Sequence, residues 1–220
     1  MAAFEAAALL FDMDGVLLSS IASAERCWKR WAQMYNVPGW ETFQIPHGVR
    51  AIDIVKQSAP WIDPQEGLRV IEDLEIADVA DVHVLPGAAA LLASLPAGRW
   101  TIVTSASGRL MEARVKAAGL PLPERYITAD DVTKGKPDPE PYRKGAELLG
   151  FDPAQCVVME DAPSGMKAGH AAGARVLGVV TSHTIEQVRE ARADWVVQSL
   201  ADVQLIETVG PLLEFEAKTV

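Results

Sequence analysis

The chain has 220 residues, of which 30 are acidic and 20 basic, giving a formal net charge of −10, and 49% are hydrophobic against 23% charged. Such a length buries a real core without disulfides or a structural metal, and such a balance excludes a largely disordered chain. The acidic excess argues against nucleic acid and anionic membrane as partners, since both demand clustered Lys and Arg, and it sits awkwardly with any phosphate-bearing substrate.

In chain order, short apolar runs predict buried strands over 7–11, 100–104, 155–159, 175–180 and 195–197. Most lack polar alternation, as expected of a parallel sheet covered on both faces. Between them, helical periodicity predicts helices over 88–95, 109–118, 140–149, 164–172 and 185–191, with Gly119, Gly150 and Gly173 near their ends. Strand–helix alternation of this kind predicts an α/β fold, a doubly wound Rossmann-like parallel sheet. From about Ile21 to about Val82 the alternation breaks. Amphipathic segments over 22–35, 49–59 and 65–77 stand there instead, so the expected organisation is a core of residues 1–19 and 84–220 with a small α-helical cap at 20–83. Cys27 and Cys156 lack CxxC spacing and read as reduced thiols packed as small hydrophobes. The opening segment has no basic stretch and no run reaches the roughly 18 apolar residues of a membrane span, so a soluble cytoplasmic protein is expected.

Four constellations carry chemistry. In LLFDMDGVLLSS a strand runs into Asp12-x-Asp14-Gly15, and ligands collect at the carboxyl ends of strands in an open α/β sheet. Two such carboxylates serve as nucleophile and acid/base, hold a hard cation, or merely shape a turn. An EF-hand is excluded, because Val16 stands where an oxygen ligand belongs and no Glu follows at the twelfth loop position. QCVVMEDAPSG ends a second strand in Glu160-Asp161, which caps the next helix or joins the first pair around a cation such as Mg²⁺. WTIVTSASG leads a strand through Ser105 into a helix start, whose amides and hydroxyl suit a phosphate oxygen or an ordinary N-cap. KGKPDPEPY fixes Lys136 just before Pro137, with Pro139 and Pro141 stiffening the approach to the next helix, as a solvated surface lysine or as a point charge beside a phosphoryl group. It is not a P-loop, since the required upstream Gly is missing and Pro follows the Lys.

DMDG, TSAS, GKPDPEPY and EDAPSG, in this order on strand ends, resemble the four motifs of the haloacid dehalogenase-like hydrolase superfamily, and the helical insert resembles its cap. ITADDVTKGKPDPEPY, MEDAPSGMKAG and the cap's HGVR look like the sugar-phosphatase branch that contains glycerol-3-phosphatase and 2-deoxyglucose-6-phosphate phosphatase. The resemblance implies that Asp12 attacks phosphorus to give an aspartyl-phosphate, and that Asp14 protonates the leaving oxygen and then activates water. It implies that Ser105 and the backbone amide at Ala106 bind phosphoryl oxygens while Lys136 offsets charge. Mg²⁺ is implied on Asp12, the main-chain carbonyl of Asp14 and Asp161, with Glu160 a further ligand or just behind the ligands.

Departures from the pattern narrow the chemistry. Asp14 is present, which disfavours the superfamily's C–halogen and C–P cleavage. β-Phosphoglucomutase-type enzymes carry a hinge histidine and a late-cap lysine; here the hinge position is Ala24, and no Lys or Arg lies between Arg69 and Arg99. The expected function is a Mg²⁺-dependent phosphatase of small sugar or polyol phosphates, with a phosphosugar mutase and a non-catalytic phospho-ligand sensor as alternatives. His47 and Arg50 are the candidate substrate contacts from the cap. Trp28, Trp31, Trp40 and Trp61 are expected in the cap's own core. The expected assembly is a monomer or weak dimer. A cation bound among four of the acids resolves the awkward charge balance and makes strict metal dependence the expectation.

Overall fold

The computed structural model describes residues 1–220. Chain order begins with β1 (Ala2–Ala6), β2 (Ala8–Phe11) and β3 (Leu18–Ser19). Three helices follow, α1 (Ile21–Met34), α2 (Ala51–Ser58) and α3 (Pro64–Ala77), after which β4 (His83–Val84) brings the chain back. Next come α4 (Ala88–Ser94), β5 (Trp100–Ile102), α5 (Gly108–Ala117), α6 (Glu140–Leu149), β6 (Cys156–Glu160) and α7 (Pro163–Ala172). The order ends with β7 (Arg175–Val179), α8 (Ile185–Glu190), β8 (Trp195–Val197), β9 (Val203–Val209) and β10 (Leu212–Ala217).

Five strands form one parallel sheet in the order β5-β2-β6-β7-β8. Both faces are covered, and the pleat shows why the strands read as continuous apolar runs. Val157 and Met159 of β6 join a cluster with Leu91, Leu92, Met111 and Val115 of α4 and α5. Their neighbours Cys156 and Val158 point the other way, into a cluster with Tyr142, Met166 and Val188 of α6, α7 and α8. This is the α/β fold that the alternation predicts, and the helices lie within a residue or two of their expected bounds. Both cysteines are buried and free. No helix is long and apolar enough to cross a membrane.

One element was not anticipated. β1, β10 and β9 form a separate three-stranded antiparallel sheet, and Phe4, Leu213 and Phe215 close the first cluster from its edge. The signal was present in LLEFEA, whose burial alternates as Leu213 and Phe215 turn inward. The segment after Trp195–Val197 holds no motif, and its alternation is short.

Between β3 and β4, which pair as a two-stranded antiparallel ribbon, every helix packs into a third cluster of its own. Trp28 and Trp31 are buried in it, and the Trp31 indole donates to the Gly67 carbonyl at 2.9 Å. Trp40 packs against that cluster from its margin, whereas Trp61 is 56% exposed and does not belong to the cap core. It follows Pro60 in the turn between α2 and α3, where nothing covers it.

Candidate active site

The carboxyl ends of the parallel strands carry the site. Asp12 stands one residue beyond β2, Glu160 is the last residue of β6 with Asp161 next, and Thr104-Ser105 follow β5. The parallel registers of β2 with β5 and β6 set these ends side by side. Lys136 reaches them from the loop before α6. Its ammonium donates to Asp12 Oδ1 at 2.6 Å, Glu160 Oε1 at 2.7 Å and the Val103 carbonyl at 3.1 Å. All three side chains are buried. Burial works against the charged lysine, but the two carboxylates outweigh it and hold Lys136 above its ordinary value.

Glu160 has its acceptors filled. Oε1 also takes the Tyr142 hydroxyl at 2.8 Å, and Oε2 takes the Asp161 and Ala162 amides at 2.9 Å each, at the start of α7. These four hydrogen bonds match the roughly four acceptor positions of a carboxylate. A Cβ on Gly165 would meet Glu160 Oε1 at 1.6 Å, which accounts for glycine at that position in the first turn of the helix.

Asp161 differs. It forms no ion pair, and burial, then Glu160 and Asp12, push it well above the carboxylate range. Ligand oxygens of Asp12, Glu160 and Asp161 lie within 4.8 Å of one another. A Cβ on Gly15, whose φ is +86°, would sit 1.9 Å from Asp161 Oδ2, so the glycine keeps the carboxylate's surroundings open. A buried, uncompensated carboxylate beside Asp12 is the donor chemistry of a hard divalent cation, and the residues present fit one.

The remaining expected residues divide. Asp14 accepts from the Ser20 hydroxyl at 2.5 Å and from Arg114 Nη1 at 2.9 Å. The Ser105 hydroxyl donates to the Gly48 carbonyl of the cap at 2.9 Å, and the Ala106 amide to Thr104 Oγ1 at 3.1 Å. His47 lines the cleft; its carbonyl accepts from Ser164 Oγ at 3.4 Å. Arg50 does not line it. Its guanidinium makes four hydrogen bonds, two to Asp53 and one each to the Val132 and Thr133 carbonyls of the core, so it straps the cap to the loop that carries Lys136. The structure thus places Arg50 on core carbonyls outside the cleft lining, a position that a spacing argument cannot see.

Residues 6–173 match the haloacid dehalogenase-like hydrolase family. Hexitol phosphatase A of Escherichia coli is 39% identical over 88% of this chain and 91% of that protein. The chain belongs to the haloacid dehalogenase-like hydrolase family. Among its other relatives, 2-deoxyglucose-6-phosphate phosphatase 1 of Saccharomyces cerevisiae is 35% identical over 94% of this chain and 93% of that protein. A hydrolase structure from Pseudomonas syringae superposes with a TM-score of 0.77 at 24% identity, covering 89% of this chain and 94% of that one, a likeness of fold.

Two residues that line this candidate site escaped the sequence reading. Arg114, from α5, bridges Asp14 to Glu75 of the cap helix α3, its Nη2 lying 2.9 Å from Glu75 Oε1. Both Arg114 and Glu75 are buried. Burial pushes Glu75 up to about 7, against the pull of Arg114. A signal did exist. Arg114 falls on the buried stripe of α5 with Leu110, Met111 and Val115, and Glu75 on that of α3 with Ile71 and Glu72. A charge on an apolar stripe requires a buried partner.

Proposed function

We propose that the chain is a Mg²⁺-dependent phosphatase that hydrolyses small sugar or polyol phosphate monoesters through an aspartyl-phosphate. The observation that carries this reading is the buried Asp12–Lys136–Glu160 arrangement with the unpaired Asp161 beside it, on adjacent strand ends. The relatives named for hexitol and 2-deoxyglucose-6-phosphate phosphatases support the substrate class.

Lys136 holds Asp12 by Oδ1, which leaves Oδ2 as the nucleophile. An Asp12–phosphorus bond forms as the ester P–O bond breaks, and Asp14 gives its proton to the departing alkoxide. Asp14 then takes a proton from water, which attacks the same phosphorus, releasing inorganic phosphate and restoring Asp12. Ser105 and the Ala106 amide bind phosphoryl oxygens, so the Gly48 carbonyl gives up the Ser105 hydroxyl as substrate enters. Lys136 neutralises charge on Asp12 and the phosphoryl group throughout. His47 contacts the substrate from the cap, within residues 20–83, which govern specificity.

Asp12 and Asp161 would hold the cation together with the Asp14 main-chain carbonyl, with Glu160 behind them as the partner of Lys136. When bound, Mg²⁺ supplies positive charge that offsets the phosphoryl oxygens among these carboxylates. Mutase chemistry is disfavoured by Ala24, which lines the cleft at the hinge and has no proton to move.

Phosphate release from a panel of sugar and polyol phosphates tests the proposal. Wild type with Mg²⁺ is expected to turn over, chelation to abolish turnover, and Asp12→Asn to fall below roughly a thousandth of wild type. Failure of wild type to release phosphate from any ester refutes the reading, and isomerised sugar phosphate without release favours the mutase.

A further inference from the structure

Glu75 has no part in the chemistry above, yet it lines the same cleft as Asp12, Asp14 and Ser105 while being only 4% exposed. We propose that Glu75 sets leaving-group specificity: held by Arg114, its carboxylate accepts a hydrogen bond from a hydroxyl beside the scissile ester and repels leaving groups that carry an anion of their own. This rests on the phosphatase reading, and in particular on Asp14 as the group that protonates the leaving oxygen.

Position comes first. Arg114 spans from Asp14 Oδ2 to Glu75 Oε1, 2.9 Å at each end, so Glu75 stands on the leaving-group side of the cleft. The helix that carries it is fixed there. Arg109 of α5 pairs with Glu72 and Asp73 on the neighbouring turn of α3, at 3.4 and 3.0 Å. The helix therefore cannot move off the core without breaking three cap-to-core pairs, of which Glu75 makes the one with Arg114.

Acceptor capacity comes second. The Glu75 carboxylate receives a single hydrogen bond from the protein, on Oε1. Glu160, the other buried glutamate beside the site, receives four. A buried carboxylate with open acceptor positions facing a cleft is satisfied by a ligand's hydroxyl, and it discriminates against an analogue that lacks one.

Charge comes third. Asp12, Asp14, Glu75 and Asp161 line the cleft, and Arg114 is the sole Lys or Arg among its lining residues. That one cation is already shared by Asp14 and Glu75. A second phosphate or a carboxylate on the leaving group finds no free positive partner, whereas a neutral polyol finds an acceptor.

Steady-state kinetics of wild type and Glu75→Gln on three small esters tests this: glycerol 3-phosphate, propyl phosphate without the hydroxyls, and phosphoglycolate with a carboxylate. Wild type is expected to prefer glycerol 3-phosphate. In the variant, the ratio of kcat/KM for glycerol 3-phosphate to that for propyl phosphate should fall about tenfold, mainly through KM, while phosphoglycolate gains relative to both. A purely structural role lowers all three by one common factor, and that outcome overturns the proposal, as does an unchanged ratio. Should Glu75→Gln fail to fold, wild type still decides: equal or better turnover of propyl phosphate or phosphoglycolate overturns it. Wild type inert on every ester removes the phosphatase reading and this one together, whereas an active wild type with an unmoved ratio removes this one alone.

Discussion

Lys136 and Arg114 are both buried cations that bridge two carboxylates at the cleft, yet they belong to different kinds of structure. Asp12 and Glu160 come from strand ends, Tyr142 from α6 and Lys136 from the loop before it, none of them from the cap, and their side chains are almost wholly buried. Arg114 joins a core carboxylate, Asp14, whose side chain is 28% exposed, to a cap carboxylate, Glu75. No cap side chain takes part in the first assembly, whereas the second has one of its two carboxylates on the cap. A phosphoryl group is the same in every substrate and suits a fixed site, whereas leaving groups vary and suit a site that the cap completes.

The largest expected effect breaks the fixed side. Lys136→Met leaves Asp12 and Glu160 buried without a cation, so urea unfolding should show a loss of about 3–5 kcal/mol, together with loss of phosphate release. Arg114→Met sharpens the contrast. Water reaches Asp14, and Glu75 can take up a proton near neutrality, so the stability loss should be nearer 1–3 kcal/mol, while kcat falls by roughly a hundredfold through misplacement of Asp14. Equal stability losses for the two variants would refute the distinction.

A smaller effect isolates the cap's attachment. Arg50→Ala removes the strap to the Val132 and Thr133 carbonyls without touching the cleft. KM should rise by roughly two- to fivefold with kcat nearly constant, since a partly buried strap of this kind contributes on the order of 1 kcal/mol. A loss in kcat alone would place Arg50 in the chemistry after all.

The smallest effect concerns the loop that presents Lys136. Glu140 accepts the Thr133 and Lys134 amides and pairs with Lys144, and these contacts lower it to about 2. The folded value lies below the unfolded one, so its stabilising contribution is present above about pH 4.5 and disappears as the pH falls toward 2. The Tm gap between wild type and Glu140→Gln should therefore close across that window. A gap independent of pH would show that the carboxylate charge is not what holds the loop.

Much of this was legible in the chain. The five parallel strands and their helices follow from apolar runs alternating with helical periodicity, because a strand buried on both faces has no polar positions to interrupt it. The acids at the ends of β2 and β6 were legible for the same reason, as charge following directly on a buried run. Lys136 was legible as a lysine stiffened by prolines, although nothing local showed that its two partners lie 124 and 24 residues away. What the tertiary structure alone decided is the pairing. Glu160 is filled by Lys136, Tyr142 and two amides and so serves the lysine, Asp161 is left without an ion pair, Arg50 turns to the core, and Arg114 carries the cap's Glu75 to Asp14. A sequence specifies which groups exist and which face of an element they occupy. Which donor fills which acceptor depends on distances across elements far apart in the chain, and those are set only by the packing of the folded whole.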